Sequence, residues 1–142
     1  MPAAKYDIAV EQGATYYFPR FQFGTLLVDS AGVPILDGNG NQQIDIPRDF
    51  TGCKFRCQMR KTKSVNSEVV FTVTSEDTNG GIVGDAQGFV TIIVPDESMD
   101  AAAKDGFWDL KCYRPDKSED RLIEGEVKVD QAVTADEVAP AP

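Results

Sequence analysis

The feature that most constrains the fold is an eight-residue run, 53–60, in which apolar and polar side chains alternate without error. Cys, Phe, Cys and Met occupy its odd positions, and Lys, Arg, Gln and Arg occupy its even positions. A helix would scatter the apolar positions around its surface, whereas a β-strand places all of them on one face. The run therefore predicts a half-buried antiparallel strand.

Other segments show strand patterns at the spacing typical of a β-sandwich. They are rich in β-branched or aromatic residues and are separated by turn-forming sequences; they comprise 6–10, 69–74, 82–83, 88–94, 108–112 and 121–129. One helix of two or three turns is predicted over 95–104, with acidic residues near its start and Gly106 after its end. We expect Met99 and an alanine or two to hold it across one end of the sandwich. The predicted fold class is all-β: an antiparallel immunoglobulin-like β-sandwich with one short helix and an inserted β-hairpin.

The front half of the chain is less regular. Tyr16–Phe23 is aromatic at both odd and even positions, and Pro19 cannot donate a hydrogen bond to a sheet, so this strand is predicted to lie at an edge or to carry a bulge. Two turn-rich stretches follow, 29–32 and 37–41, with a short strand between them at 33–36. We predict one sandwich domain over 1–134, an inserted hairpin at about 25–47, and an extended or disordered C-terminal arm at 135–142.

Composition excludes several classes of function. The chain has 142 residues, a formal net charge of −9 and a pI near 4.4. Proteins that bind duplex nucleic acid neutralise phosphates with clustered Lys and Arg, so nucleic acid is not an expected partner. No segment approaches the roughly 20 apolar residues of a membrane helix, and the first residues lack the apolar core of a secretory signal. The chain is therefore expected to be made in the cytoplasm and not to bind membranes.

The sequence also lacks the residues on which common catalytic sites depend. It contains no histidine, which removes the Ser-His and Cys-His nucleophile pairs and the commonest zinc ligand. Gly80, Gly81 and Gly84 lie between short strands and do not open a helix, so they indicate turns and not a phosphate-binding loop. We predict that the protein is not an enzyme and has no cofactor.

Three cysteines are present, at positions 53, 57 and 112. Cys53 and Cys57 would lie about 13 Å apart on one strand, at roughly 3.3 Å per residue. A disulfide needs Cα atoms within about 7 Å, so these two cannot be bridged. A bridge from either to Cys112 stays open, but free thiols acting as small core residues are favoured.

One stretch has part of the spacing of a calcium-binding loop. Its oxygen-bearing side chains are Asp37, Asn39, Asn41 and Asp45. Gln42 stands where such a loop needs glycine, and Arg48 stands where it needs a bidentate glutamate. Because Asp-Gly and Asn-Gly are also strong hairpin-turn signals, a turn is favoured over a metal site.

Apolar residues of the front half are candidates for contacts with other chains. Exposed aromatic side chains can anchor interfaces or stack on sugar rings, although core packing is their commoner role. We expect one face of the aromatic strand to join the core and the other to meet a neighbouring subunit or the hairpin. The interface candidates are Tyr16, Tyr17, Phe18, Phe21, Phe23, Val33, Ile35 and Leu36.

Several short motifs occur in a recognisable order along the chain. A Gln-Gly turn and a Thr-aromatic strand come first, then a Phe-Thr-Gly step into an alternating strand, a Gly-x-Val-x-Ile strand, an aromatic-Asp-Leu strand and a closing Arg-Leu-Ile-x-Gly-x-Val-x-Val strand. They lie at 10–16, 50–60, 88–92, 108–110 and 121–129, with Val133-Thr134 after the last. This order resembles an immunoglobulin-like module of tailed-phage virion proteins, including the N-terminal domains of baseplate adaptor and receptor-binding proteins.

The resemblance implies a structural role in a bacteriophage virion, usually within a symmetric ring or trimer, with no catalytic residues. The expected partners are other virion proteins and copies of the chain itself, and the expected docking elements are the 29–47 hairpin and the two terminal arms. The segment from about Thr25 to Pro47 departs from the module, so its role is not implied by the resemblance. Two alternatives stay open: a carbohydrate-binding module that holds a host glycan on an aromatic platform of Tyr16, Tyr17 or Trp108, and a capsid decoration protein.

Overall fold

The computed structural model of the protein, which describes residues 3–64, 66–102 and 104–131, is an all-β sandwich with one helical turn. The predicted C-terminal arm, 135–142, lies outside the described residues. In chain order the elements are β1 Ala4–Lys5, β2 Ile8–Glu11, β3 Tyr16–Tyr17, β4 Phe21–Gln22, β5 Gly24–Leu26, β6 Ile44–Pro47, β7 Lys54–Arg60, β8 Val69–Thr74, β9 Gly81–Gly84, β10 Phe89–Val94, α1 Asp96–Met99, β11 Gly106–Tyr113 and β12 Glu119–Asp130.

Two sheets form the sandwich. The large sheet has the strand order β12-β11-β7-β8, with β1 and β2 one after the other along the outer edge of β12. The small sheet has β10 at its centre, β3 and β4 on one side and β9 on the other. Strand β11 thus pairs with β7 from the middle of the chain, and β7 pairs in turn with β8.

Strand β7 confirms the alternation on which the fold prediction rests. Phe55, Cys57 and Met59 are buried, while the residues between them face outward. Strand β11 alternates in the same way: Trp108, Leu110 and Cys112 lie in the core. Strand β12 departs from strict alternation at a bulge beside Leu110 and Lys111, where Leu122 and Ile123 are both buried.

The predicted antiparallel sandwich is confirmed, and at one edge of it β1 and β2 run parallel to β12. In the segment between β1 and β2, the Tyr6 amide donates to the Glu124 carbonyl over 2.8 Å, and Asp7 Oδ1 accepts the Glu126 amide over 2.9 Å. Because the pairing with β12 is interrupted between β1 and β2, the Tyr6 carbonyl is free to accept the indole N–H of Trp108 over 2.9 Å. Tyr6–Val10, predicted as one strand, is therefore a kinked edge that joins two short strands.

The aromatic strand lies at an edge of the small sheet, which is one of the two predicted arrangements, and it is interrupted at Pro19. Tyr16 and Tyr17 pair with one end of β10, and Phe21 and Gln22 pair with the other end. The interruption shifts the alternation by one residue, so even-numbered side chains face the core before Pro19 and odd-numbered ones face it afterwards. This shift explains why both parities are aromatic.

The helix is shorter than predicted. Only Asp96–Met99 is helical, and the chain turns away at Asp100. The Gly13 amide and the Gln12 side chain take up the carbonyls of Met99 and Asp100, which removes the acceptors that a longer helix would use. Met99 and Ala102 are fully buried, so the expected docking of this segment on the sandwich is confirmed.

Residues 24–47 form a side hairpin between β4 and β7. Strands β5 and β6 pair at its base, from Gly24 with Pro47 to Leu26 with Ile44. Farther out, Val28 bridges Pro34, and the returning chain makes a second turn between Leu36 and Gln42. None of the described core residues lies between 24 and 47, so the side hairpin is an appendage of the sandwich.

Candidate functional site

The side hairpin exposes an unusual amount of apolar surface. Five of the nine large hydrophobic side chains that are exposed among the described residues lie in it: Val28, Val33, Ile35, Leu36 and Ile46. Val33, Ile35 and Leu36 were predicted from the sequence as interface candidates, whereas Val28 and Ile46 were not. Ile46, on β6, is the most exposed of the five at 63%. Large exposed apolar side chains that are grouped in one segment are a feature of protein-protein contacts.

Two turns of one design hold the side hairpin in shape. In the first, Asp29 Oδ1 accepts the amides of Ala31 and Val33 over 2.9 and 3.0 Å. In the second, Asp37 Oδ1 accepts the amides of Asn39 and Asn41 over 2.8 and 3.0 Å. These side-chain bonds fix both turns and make the exposed segment a defined shape.

The same bonds favour the turn interpretation of the calcium-like spacing. Asp37 uses a carboxylate oxygen for the backbone of its own turn, and Asp45 lies beyond that turn on β6. The described part of the chain contains no group of three or more Cys, Asp or Glu side chains placed to hold a metal ion. Asp37, Asn39, Asn41 and Asp45 therefore define a turn and the strand that follows it.

The aromatic interface candidates lie mostly against the core. Phe18 is buried and packs on Trp108 with ring centroids 4.8 Å apart, which makes its assignment to an interface wrong. Tyr16, Phe21 and Phe23 are half-buried against the core because of the parity shift at Pro19. Only Tyr17 of this set is strongly exposed, at 69%.

The same placement weakens the glycan-platform alternative. Trp108 is 2% exposed and lies beneath Phe18 and Phe21, so it cannot stack on a sugar. Tyr16 packs edge-on against Phe18, whereas Tyr17 lies on the outer, solvent-exposed face of β3. These three residues do not form a platform.

A cleft of about 360 Å³ lies on the outer face of the large sheet. Its floor is a grid of outward side chains from β7, β11 and β12, in which Arg60 and Glu126 flank Phe107 while Gln58 and Glu124 flank Asp109. Lys5, Asp7, Thr62, Lys63 and Arg121 form its rim. We call this site the sheet-face cleft.

Charges at one end of the sheet-face cleft are paired. Glu124 accepts hydrogen bonds from Lys5 and from Arg121. The hydrogen bond from Lys5 is the main reason why the pKa of Glu124 lies below its ordinary value. Arg121 Nε also lies 3.3 Å from Asp109. Burial nevertheless raises the pKa of Asp109, although Arg121 and Lys111 oppose that effect.

At the other end the cations act on the cleft carboxylates only from a distance: the charge of Arg60 helps to lower the pKa of Asp109, and that of Lys63 helps to lower the pKa of Glu124. Arg60 donates to the Ser67 carbonyl and to Gln58, and Lys63 lies 5.5 Å from the centre of the Phe107 ring. Neither forms an ion pair within the described part of the chain. The sheet-face cleft thus combines an aromatic floor at Phe107 with acidic and basic side chains in equal number.

Sequence reasoning did not find the sheet-face cleft. Alternation correctly assigns Gln58, Arg60, Asp109 and Glu126 to outward positions, but each pattern concerns one strand only. The signal that could have found the cleft is the strand order, since an immunoglobulin-like arrangement places β7 and β12 on either side of β11.

The three cysteines are free. Burial raises the pKa of Cys57 well above the ordinary thiol value and that of Cys112 to about 12, and contact with Cys53 adds to the effect on Cys112. Only Cys53 is partly exposed. The favoured prediction of free thiols that act as core residues agrees with this structure for Cys57 and Cys112.

No protein-family model matches this chain, and none of the curated proteins compared with it is a match. No helix within the described ranges is long and apolar enough to span a membrane.

Proposed function

We propose that this chain is a structural subunit of a bacteriophage virion, a tail, baseplate or fibre-attachment component that acts through protein-protein contacts. The observation that carries the proposal is the side hairpin, which adds nothing to the described core yet exposes five large aliphatic side chains. A free subunit gains nothing from such an appendage, whereas a subunit that is covered in an assembly buries it.

The positions of the sequence motifs support the phage assignment. The Gln12-Gly13 turn separates β2 from β3, and Gly52 and Gly88, both with positive φ, precede β7 and β10. The Trp108-Asp109-Leu110 motif lies within β11, and the closing motif from Arg121 lies within β12. Each motif thus coincides with a strand or a turn of the sandwich, as expected if the resemblance reflects a common fold.

A substitution experiment tests the role of the side hairpin. In the double variant Leu36→Asp/Ile46→Asp, we expect the purified chain to fold normally but its incorporation into phage particles, measured by quantitative mass spectrometry, to fall roughly tenfold or more. The matched control is Val83→Asp on β9, since Val83 is 70% exposed but lies outside the hairpin. Equal incorporation of both variants would contradict the proposal.

The place of the chain in the particle is tested separately. Heads and tails are separated, and the chain is sought in each fraction by the same mass measurement. We expect it in the tail fraction. Recovery from heads alone would favour the capsid decoration alternative and would reject the tail assignment.

A further inference from the structure

Two of the three cysteines are neighbours at one end of the sandwich. Cys112, on β11, lies opposite Phe55 of β7, and Cys53 precedes Phe55 by two residues. Both side chains belong to the buried face of the large sheet, because Cys112 is a core residue and Cys53 packs against the core. Residues related in this way are diagonal neighbours, whose Cα atoms lie about 7–8 Å apart and whose Cβ atoms lie closer.

The thiol of Cys112 faces Cys53 and not Cys57. A hydrogen bond between the thiols of Cys112 and Cys53 adds to the effect of burial, which is the main cause of the raised pKa of Cys112. Cys57 is the other diagonal neighbour of Cys112, since it lies opposite Leu110. Burial and the charge of Asp109, and not Cys112, raise the pKa of Cys57. The contact between Cys53 and Cys112 is therefore specific to that pair.

The surroundings of Cys53 allow it to react. It precedes β7, in a turn that is closed by a hydrogen bond of 3.0 Å from its amide to the Phe50 carbonyl. Because it does not belong to the strand, its Cα atom can come within the roughly 7 Å that a disulfide needs without breaking a strand pair. It is also partly exposed, whereas Cys57 and Cys112 are fully buried. An oxidant in solution therefore reaches Cys53 first.

We propose that Cys53 and Cys112 form a reversible disulfide within one chain when the protein meets a small-molecule disulfide such as oxidised glutathione. The Cys53 thiolate attacks one sulfur of the oxidant, whose S–S bond breaks and releases one glutathione, which takes up a proton. Cys112 then loses its proton and attacks Cys53 Sγ, which releases the second glutathione. Two thiols are oxidised to one disulfide, and one molecule of oxidised glutathione is reduced to two molecules of glutathione.

The bond would join the start of β7 to the end of β11. Asp120 pairs with Cys112 across the sheet, and its carboxylate lies 2.6 Å from the guanidinium of Arg48, where the chain leaves the side hairpin. The cross-link thus lies beside the ion pair at the base of the hairpin. A reducing cytoplasm keeps the two thiols free, and oxidising surroundings join them. This inference goes beyond the proposed function and does not rest on it.

Oxidation of the folded, full-length chain tests the inference. The reduced chain is incubated with oxidised glutathione, and its remaining free thiols are counted by alkylation and intact mass. We expect the count to fall from three to one, and a peptide map to show one link, between Cys53 and Cys112. Dithiothreitol should restore all three thiols. The same treatment of the urea-unfolded chain is the control, since its pairings are expected to be mixed.

Two variants separate the pair from the third cysteine. Cys57→Ala should form the bridge as wild type does, whereas Cys53→Ser should not form it and should keep Cys112 reduced. In urea denaturation, oxidised wild type should unfold at a higher urea concentration than reduced wild type, because a cross-link restricts the unfolded chain. The two treatments should leave Cys53→Ser unchanged. The peptide map of wild type identifies the pair even if Cys57→Ala does not fold.

Several outcomes overturn the inference. They are a folded chain that keeps all three thiols, a glutathione adduct at Cys53 that never resolves, and a bridge that includes Cys57 or joins two copies. A bridge that lowers the urea midpoint overturns it as well, since the bond would then strain the sandwich. Each of these outcomes leaves the proposed assembly role of the side hairpin untouched, because none of them concerns residues 24–47.

Discussion

At the scale of single residues, Gly125 is fixed by its surroundings. It lies on β12 opposite Trp108, where the edge strand kinks at Tyr6. A Cβ atom at this position would lie 1.8 Å from the Tyr6 carbonyl oxygen and 3.0 Å from the indole nitrogen of Trp108. The absence of a side chain at Gly125 therefore allows the hydrogen bond by which the core tryptophan holds the N-terminal edge.

Gly125→Ala is expected to lower the free energy of unfolding by about 3 kcal/mol, because backbone atoms and not a flexible side chain would have to move. Urea denaturation followed by Trp fluorescence measures the change. Gly38→Ala is the control, since a Cβ there meets nothing within 4 Å and should change stability by less than about 0.5 kcal/mol. A loss at Gly125 no larger than at Gly38 would show that the edge strand adapts freely.

Two aspartates of β11 and β12 have pKa shifts of opposite sign. Burial raises the pKa of Asp109, so its ionised form is disfavoured by folding. A hydrogen bond from Arg48, with the charges of Arg48 and Arg114, lowers the pKa of Asp120, so its ionised form is favoured. Stability due to Asp120 is present above the unfolded pKa of about 3.9 and is lost as pH falls through the lower folded value. Stability due to protonated Asp109 is present below the pKa of the unfolded state, and it is lost as the pH rises through the higher pKa of Asp109 in the folded state.

Asparagine imitates a protonated carboxyl, so the two substitutions should act in opposite directions. At pH 7 we expect Asp120→Asn to lower the free energy of unfolding and Asp109→Asn to leave it equal or raise it. Urea denaturation at several pH values between 3 and 7 measures the effect. The difference in the free energy of unfolding between each variant and wild type should shrink as the pH falls toward 3. If both substitutions lowered the free energy of unfolding at pH 7, the ion pair of Asp109 with Arg121 would outweigh the effect of burying Asp109.

At the scale of elements, one turn design recurs. Segments 29–33, 37–41 and 85–89 each begin with Asp and have a glycine with φ near 80° at the fourth position. In each, the first residue is joined to the fourth and the fifth by backbone hydrogen bonds. The turn at 114–118 has the same backbone bonds, but Lys117 occupies the fourth position at a φ of 70°.

Lys117→Gly is expected to raise the free energy of unfolding by about 1 kcal/mol, since a side chain in the left-handed region is strained and glycine is not. The melting temperature should rise accordingly. Lys128→Gly, within β12 at a position without a positive φ, should instead lower stability by about 0.5–1 kcal/mol. A loss of stability at Lys117 comparable to that at Lys128 would show that no strain is relieved.

The elements that could be predicted from sequence are those with a local signal. Strand β7 was predicted because its faces differ in polarity at every position, and the edge position of the aromatic strand because Pro19 cannot donate to a sheet. The parallel pairing of β1 and β2 could not be predicted, because a two- or four-residue strand does not encode which neighbour it joins or in which direction. The helix was predicted too long because residues after Met99 form their hydrogen bonds with a distant segment at Gln12 and Gly13.

At the scale of the whole molecule, the candidate surfaces differ in how far sequence could reach them. The side hairpin is one continuous segment, so its turns and three of its exposed aliphatic residues could be predicted. The sheet-face cleft joins residues 58–63, 107–109 and 121–126 with Lys5 and Asp7, which meet only through the register of neighbouring strands. That register is set by packing of the opposite, buried face, so the cleft follows from a described core of which only Trp108 also lines it.

Because the described core contains no residue of the side hairpin, the sandwich should fold without it. Gly24 and Pro47 already pair across two antiparallel strands, so residues 25–46 can be replaced by the two-residue turn Asn-Gly. We expect the free energy of unfolding to change by no more than about 1 kcal/mol, because loop length affects stability only weakly. Urea denaturation should stay cooperative, whereas the control Leu110→Ala, which removes a fully buried side chain, should cost about 2–5 kcal/mol in the same assay. A shortened chain that unfolds without a cooperative transition would mean that the hairpin is needed for the fold. Its exposed aliphatic residues would then be explained by a contribution to folding and would no longer support a role in assembly.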